Sequence, residues 1–143
     1  MRRAALALLA FAAQLAAASP ALACSCARNP TAAGMLASAE AVFTAIVVHS
    51  EPAGKNISIT TFRIVEAFKG PAAGSTVEVR HPSGPSASCG VKFAPGRSYT
   101  LAAHRVGARL ATTLCSTWMF LPQVGLSQGL IKDLRELRGP PRP

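Results

Sequence analysis

Two cysteines separated by one serine stand directly after an export signal, and this arrangement constrains the fold more than any other feature. The first 23 residues have a positively charged start, a long alanine- and leucine-rich run, and the A-x-A cleavage tripeptide Ala21-Leu22-Ala23. We therefore predict that a signal peptide, residues 1–23, is removed. The mature domain, residues 24–143, then begins at Cys24, with Cys26 two positions later.

The chain has four cysteines, and the other two, Cys89 and Cys115, lie far downstream. An even number of cysteines in an exported chain favours two disulfides, although four cysteines allow three pairings. Lipidation of Cys24 is an alternative, but Ala21-Leu22-Ala23 is a poor lipoprotein signal. A four-cysteine zinc site is less favoured, because neither downstream cysteine has a second ligand at close spacing. We expect a secreted or periplasmic protein.

The chain is basic, with a formal net charge of +9. Two of its positive charges, on Arg2 and Arg3, belong to the signal peptide. A positive surplus favours acidic partners such as lipid headgroups, glycans or an acidic protein surface, or simply keeps the protein soluble. After the signal, no apolar stretch approaches the length of about 20 residues that crosses a bilayer. The sequence therefore predicts no transmembrane segment.

Short runs of β-branched and apolar residues, separated by turn residues, predict a mainly β fold. Within residues 57–68, alternate side chains point to opposite faces, and the inner and outer faces are expected to swap at a bulge. We expect turns at 51–54 and 106–107 and a loop at 81–88. The five predicted strands, enough for a small closed or half-open barrel, cover residues 41–49, 57–68, 75–80, 97–103 and 108–114.

A helix is predicted at each end of the strand region. The first is short, starts at Pro30-Thr31 and buries Met35 and Leu36. The second follows Pro122 and ends at Gly139. Apolar residues recur in it at helical spacing: Leu126, Leu130, Ile131, Leu134 and Leu137.

Five segments, which include every cysteine, occur in an order that resembles a known family. They are Cys24-Ser25-Cys26, residues 62–70 (FRIVEAFKG), 86–91 (SASCGV), 99–102 (YTLA) and 113–118 (TLCSTW). Together they resemble the N-terminal domain of the tissue inhibitors of metalloproteinases and, more broadly, the netrin-like module. The resemblance implies an OB-type five-stranded barrel with flanking helices, which agrees with the strand pattern.

The resemblance also implies the disulfide pairs Cys24–Cys89 and Cys26–Cys115. Each bridge would close a long loop, worth roughly 4 kcal/mol in the chain-entropy model. The chain departs from the family in two ways: it lacks the cysteines of a third disulfide and has no cysteine-rich C-terminal subdomain. It resembles a minimal form of the inhibitor domain.

In that family the N-terminus acts on the catalytic zinc of a protease, which has one open ligand position. By resemblance, the α-amine and carbonyl oxygen of Cys24 bind the partner's zinc, and Ser25 points toward its specificity pocket. Ser86, Ala87 and Ser88 extend the contact ridge, and the loop 50–56 touches the partner's rim. The chain itself needs no cofactor, because the zinc belongs to the partner.

Other functions remain open, and the leading alternative is a non-inhibitory adhesion module that binds an acidic surface, glycan or protein through Arg97, Arg105, Arg109 and the C-terminal helix. Nucleic-acid binding is not expected, because most aromatic residues occupy predicted core positions. Nor do we expect an enzyme. The histidines His49, His81 and His104 have no catalytic partner at a suitable spacing and are predicted to be surface residues.

Overall fold

A computed structural model describes residues 31–85, 89–116 and 126–138 of the chain. It contains five strands, β1 (Ala41–Gly54), β2 (Ile57–Lys69), β3 (Thr76–Pro82), β4 (Ser98–Val106) and β5 (Arg109–Ala111). Helix α1 (Ala32–Ser38) precedes the strands and helix α2 (Leu126–Arg138) follows them, with a 3-10 turn at Leu114–Ser116. The predicted mainly β class, with five strands and a helix at each end, is confirmed.

The five strands close into a ring in the order β1-β2-β3-β5-β4. Neighbouring strands are antiparallel except β3 and β5, which pair in parallel over Val79↔Leu110 and Arg80↔Ala111. The ring closes where β4 pairs with the first half of β1, from Ala41↔Ala103 to Ile46↔Ser98. Every strand therefore has a partner on both sides over part of its length.

The β1–β2 hairpin contains the bulges that the sequence predicted. Thr60, Phe62 and Ile64 point into the ring, whereas Phe68 is buried on the outer side. The register shifts at Val65, between these positions, and again at Phe68 itself, since neither residue has a partner in β1. The bulges change which face of β2 is buried, so that one strand contributes to both sides of the sheet.

The inside of the ring is filled by aromatic and branched side chains. Phe93 is at the centre of a set of edge-to-face ring contacts, with its ring centroid 4.9 Å from Phe62, 5.1 Å from Tyr99 and 4.7 Å from His81. Such contacts are the favoured geometry for aromatic pairs. We call this set of buried residues the inner core; it also includes Phe43, Val47, Ile64, Val79 and Leu101.

A second cluster lies on the outer face of the ring, where α1 and α2 cover it. We call it the outer core; its members are Ala32, Met35, Ala39, Val42, Phe68, Ala102, Leu130 and Leu134. Helix α1 begins as predicted, because the Thr31 side chain accepts a hydrogen bond from the Gly34 N–H and caps the helix. Met35 is buried and Leu36 is partly buried.

Helix α2 is anchored to β2 by its basic residues. The Arg135 guanidinium donates two hydrogen bonds to the Glu66 carboxylate, at 2.8 and 2.9 Å. Arg138 donates to the Ala67 carbonyl at 2.9 Å and lies 5.8 Å from the ring centroid of Phe68. Leu137 is 54% exposed, so only part of the predicted apolar face is buried.

Several predicted boundaries are wrong. The predicted turn at 51–54 is strand, because β1 continues to pair through Pro52↔Ser58, and the turn falls at Lys55-Asn56. Asn56 has φ 58°, a conformation that asparagine tolerates well.

The predicted loop at 81–88 begins later, since β3 includes Pro82. Strand β5 has three residues instead of seven, and a 3-10 turn occupies Leu114–Ser116, the end of the predicted strand. Between them, the Thr112 hydroxyl donates to the Ala102 carbonyl.

Candidate functional site

The N-terminal site residues predicted from the resemblance, Cys24, Ser25 and Cys26, lie outside the described residues, as does the predicted ridge, Ser86, Ala87 and Ser88. The structure does describe Cys89 and Cys115, the two cysteines to which the resemblance links Cys24 and Cys26. Neither Cys89 nor Cys115 is a free thiol. The predicted pairs Cys24–Cys89 and Cys26–Cys115 remain predictions.

The structure brings the two downstream cysteines together. The Leu114 N–H donates a hydrogen bond to the Cys89 carbonyl at 3.2 Å, and Cys115 is the next residue. Both cysteines are half-buried. Two segments separated by more than twenty residues in the sequence thus meet at one place on the ring.

The loop that carries Cys89 is held by tight backbone packing. Cys89 has φ 59°, a left-handed conformation that is uncommon for a residue with a side chain. Gly90 packs directly against Gly84, and a Cβ at Gly90 would overlap the Gly84 carbonyl group. The Val91 N–H donates to the Pro82 carbonyl at 2.8 Å and closes the base of the loop. Residues 84 and 90 therefore fix the path by which the chain enters and leaves this loop.

The hairpin segment 50–56, which the resemblance gives as a rim contact, adjoins this loop. The Ser83 N–H donates to the Asn56 carbonyl at 2.8 Å. Residues 50–56 are all exposed. The hairpin and the Cys89 loop thus lie side by side at the same end of the ring.

The prediction that His81 is a surface residue is wrong. Its side chain is 1% exposed and lies in the inner core against Phe93. The error has a physical cause: the prediction treated residues 81–88, rich in proline, serine and glycine, as loop, whereas His81 is the inward-facing residue of β3 that follows Val79 by two positions. The alternation in β3 was the signal that could have identified it.

The His81 imidazole joins a chain of polar groups that reaches the surface. The Nδ1 atom lies 3.1 Å from the Pro82 carbonyl oxygen, and because a carbonyl oxygen can only accept a hydrogen bond, Nδ1 carries the proton. The Nε2 atom lies 2.7 Å from the Thr60 hydroxyl. Thr60, which is fully buried, is also hydrogen-bonded to Ser50, with 2.8 Å between the two hydroxyl oxygens. Burial lowers the pKa of His81 below its usual 6.5, against the opposing effect of the Pro82 and Val91 carbonyls. The ring is therefore neutral at pH 7.

An open pocket of about 310 Å³ lies above His81. One wall is the hairpin, with Glu51 and Ser58 among its residues. Residues 91–93 form another part of the lining. They begin the segment 91–97, which we call the capping segment because it runs from the end of β3 to β1 across the end of the ring. It is bonded to β3 through the Val91 N–H and to β1 through two hydrogen bonds with Val47. The pocket is next to the Cys89 loop and was not predicted from the sequence.

No family model matches the chain, and none of the curated proteins that were searched matches it. Among the described residues, no three side chains of the metal-binding types are grouped to hold an ion. Neither helix in the described ranges is long and apolar enough to cross a bilayer. The resemblance to the metalloproteinase inhibitors therefore remains a prediction.

Proposed function

We propose that the mature chain is a secreted or periplasmic protein-binding domain of the OB type that inhibits zinc metalloproteinases. In this proposal the α-amine and carbonyl oxygen of Cys24 bind the partner's catalytic zinc. Ser25 enters the specificity pocket, and Ser86, Ala87 and Ser88 extend the contact. The chain does no catalysis of its own.

The observation that carries the proposal is the hydrogen bond between Leu114 and Cys89, which brings Cys89 and Cys115 together. Cys24 and Cys26 are two residues apart, so their Cα atoms are separated by at most about 7 Å. A disulfide spans Cα atoms about 4.4–6.8 Å apart. A segment as short as Cys24-Ser25-Cys26 can therefore reach both downstream cysteines only if their Cα atoms lie within about 20 Å of each other, a condition that the contact between Leu114 and Cys89 meets.

Two bridges at this position favour inhibition because they remove the freedom of the N-terminus before binding. A flexible terminus would lose conformational entropy on binding the zinc, whereas a terminus held at Cys24 and Cys26 has little left to lose. The adjacent Cys89 loop is itself fixed by the packing of Gly90 against Gly84. The proposed ligand is thus attached to a rigid part of the molecule.

The test is an inhibition assay against a panel of zinc metalloproteinases with two matched variants. One variant carries an extra alanine before Cys24, and the control carries an extra alanine after Pro143. The first is expected to abolish inhibition, because the amine at residue 24 becomes an amide that cannot bind zinc, while the control inhibits like the native chain. Inhibition that survives the N-terminal extension, in a variant with an unchanged melting temperature, would refute zinc chelation.

Adhesion to an acidic surface is the second candidate. Arg97 and Arg109 are exposed and have no ion-pair partner within the described residues. By contrast, Arg105 pairs with Glu40, and Arg135 and Arg138 pair with Glu66. Three of the basic residues that adhesion would use are thus paired within the molecule, which makes adhesion the weaker candidate. Binding to an anionic polysaccharide that is lost in the double variant R97Q/R109Q, yet unaffected by the N-terminal alanine, would favour it.

A further inference from the structure

We propose that the pocket between the hairpin and the capping segment binds a small zwitterionic ligand, a free amino acid or a short peptide. The ligand's ammonium group lies toward Glu51 and its carboxylate toward Lys92. This site is separate from the proposed zinc ligands, and the inference does not rest on the inhibitor function.

The two charges of the pocket have no partner of their own. Glu51 belongs to the hairpin wall and Lys92 to the capping segment, and both are exposed. Neither side chain makes an ion pair or a hydrogen bond with any residue in the described ranges, whereas Glu40, Glu66 and Glu136 are each paired with a cation. A pocket lined by one unpaired charge of each sign is complementary to a ligand that carries both.

Serine hydroxyls supply the neutral polar groups of the pocket. Ser58 and Ser83 are half-buried, and their hydroxyls make no hydrogen bond to the part of the chain that the structure describes. Ser50 is hydrogen-bonded to Thr60, and its exposed hydroxyl keeps the capacity for a further hydrogen bond. A hydroxyl donates one hydrogen bond and accepts others, so these three groups suit both the carboxylate and the peptide groups of the ligand.

The base of the pocket is rigid, which favours a preformed site. His81 and Thr60 are buried and hydrogen-bonded to each other, and Phe93 packs against the imidazole at 4.7 Å between ring centroids. Small-molecule sites are usually preformed clefts of about 300–1,000 Å³ with a few convergent polar groups. The volume of about 310 Å³ is at the lower end of that range, as expected for a ligand of amino-acid or dipeptide size.

The experiment is an NMR titration of the exported, oxidised chain with four probes: glycine, glycylglycine, N-acetyl-glycylglycine and glycylglycine amide. We expect glycylglycine to shift the amide signals of Ser58, Ser83 and Val91. Blocking either terminus is expected to weaken binding about tenfold, because each removes one charge contact. Comparison of glycine with glycylglycine distinguishes an amino acid from a peptide.

Two charge variants assign the walls. Glu51→Gln should make glycylglycine bind no better than its N-acetylated form, and Lys92→Met should make it bind no better than its amide. Glu78→Gln and Lys55→Met, which change exposed charges outside the pocket, serve as matched controls and should change nothing. Both test residues are exposed, so the variants should fold, and their amide spectra verify it.

The inference is overturned if no probe shifts pocket signals at concentrations up to about 20 mM, the weak end of specific small-ligand binding. It is also overturned if the blocked and free peptides bind equally, or if a neutral sugar such as glucose shifts the same amides as strongly as glycylglycine.

Discussion

The inner and outer cores differ in how the chain builds them. The inner core is formed by neighbouring strands and the capping segment, and its aromatic rings contact one another edge to face. The outer core requires α1 and α2, from opposite ends of the described chain, to meet on one patch of the ring. The inner core therefore defines the ring, whereas the outer core attaches helices to a ring that already exists.

The largest expected effect is on the inner core. Phe62→Ala removes a fully buried ring that contacts both Phe43 and Phe93, and should lower the free energy of unfolding by about 3–5 kcal/mol. Chemical denaturation followed by far-UV and near-UV circular dichroism measures it. Phe62→Leu, which keeps most of the volume, should cost clearly less. A cost near zero for Phe62→Leu would mean that the ring contacts add nothing beyond the volume they fill.

A smaller effect is expected in the outer core. Leu134→Ala empties a fully buried position under α2 and should cost about 2–3 kcal/mol, since the helix can settle into the space. Leu137→Ala, on the exposed side of the same helix, should change stability by less than about 0.5 kcal/mol. Hydrogen exchange should show α2 amides opening before those of the ring. Simultaneous opening would mean that the two cores form one cooperative unit.

The inner core contains a histidine, His81, and this predicts a pH dependence. Because burial lowers the pKa of His81, the unfolded state binds its proton more readily than the folded state. This contribution to stability is complete above pH 6.5 and declines as the pH falls from there through the pKa of the folded state. Unfolding should be measured from pH 8 to pH 5.

His81→Gln should flatten that decline, whereas His49→Gln, at an exposed position, should not. If His81→Gln does not fold, an NMR titration of the native imidazole gives its pKa directly. A pKa of His81 at or above 6.5 would contradict the conclusion that burial lowers it.

The smallest effect is expected at the edge of the outer core. The Arg135 hydrogen bonds hold the pKa of the Glu66 carboxyl below its usual value. The stability that this pair contributes is present above the pKa of the Glu66 carboxyl in the unfolded chain, near 4.5. It is lost as the pH falls through the lower pKa of the same carboxyl in the folded protein. Glu66→Gln should therefore destabilise slightly at pH 7, and less in high salt, which screens exposed ion pairs. Glu78→Gln is the matched control in thermal denaturation.

How far the sequence predicts this molecule depends on the range of the interactions involved. Alternation divided β2 into two faces and predicted that they swap at a bulge, because side-chain direction follows from strand geometry alone. The turn predicted at 51–54 failed, because Pro52 and Gly54 favour turns locally while pairing with β2 continues the strand. Local preference was overridden by tertiary pairing.

The candidate site shows the same limit. Cys89 and Cys115 could be identified from the sequence, but their approach depends on a backbone hydrogen bond between distant segments. The pocket escaped prediction because Glu51, Ser58 and Lys92 come from three separate segments, each of which is ordinary by composition. His81 was misplaced because the turn-rich composition of residues 81–88 hid the last two residues of β3, in which His81 continues the alternation from Val79.

The most direct test of the proposed function is the intact mass, N-terminal sequence and disulfide map of the exported, non-reduced protein. We predict an unmodified start at Cys24, a mass lower than that of the reduced chain by the hydrogens of two disulfides, and linked peptides Cys24–Cys89 and Cys26–Cys115. A lipid adduct, a blocked amine, a different first residue or a bond between Cys89 and Cys115 would contradict the proposed inhibitory mechanism.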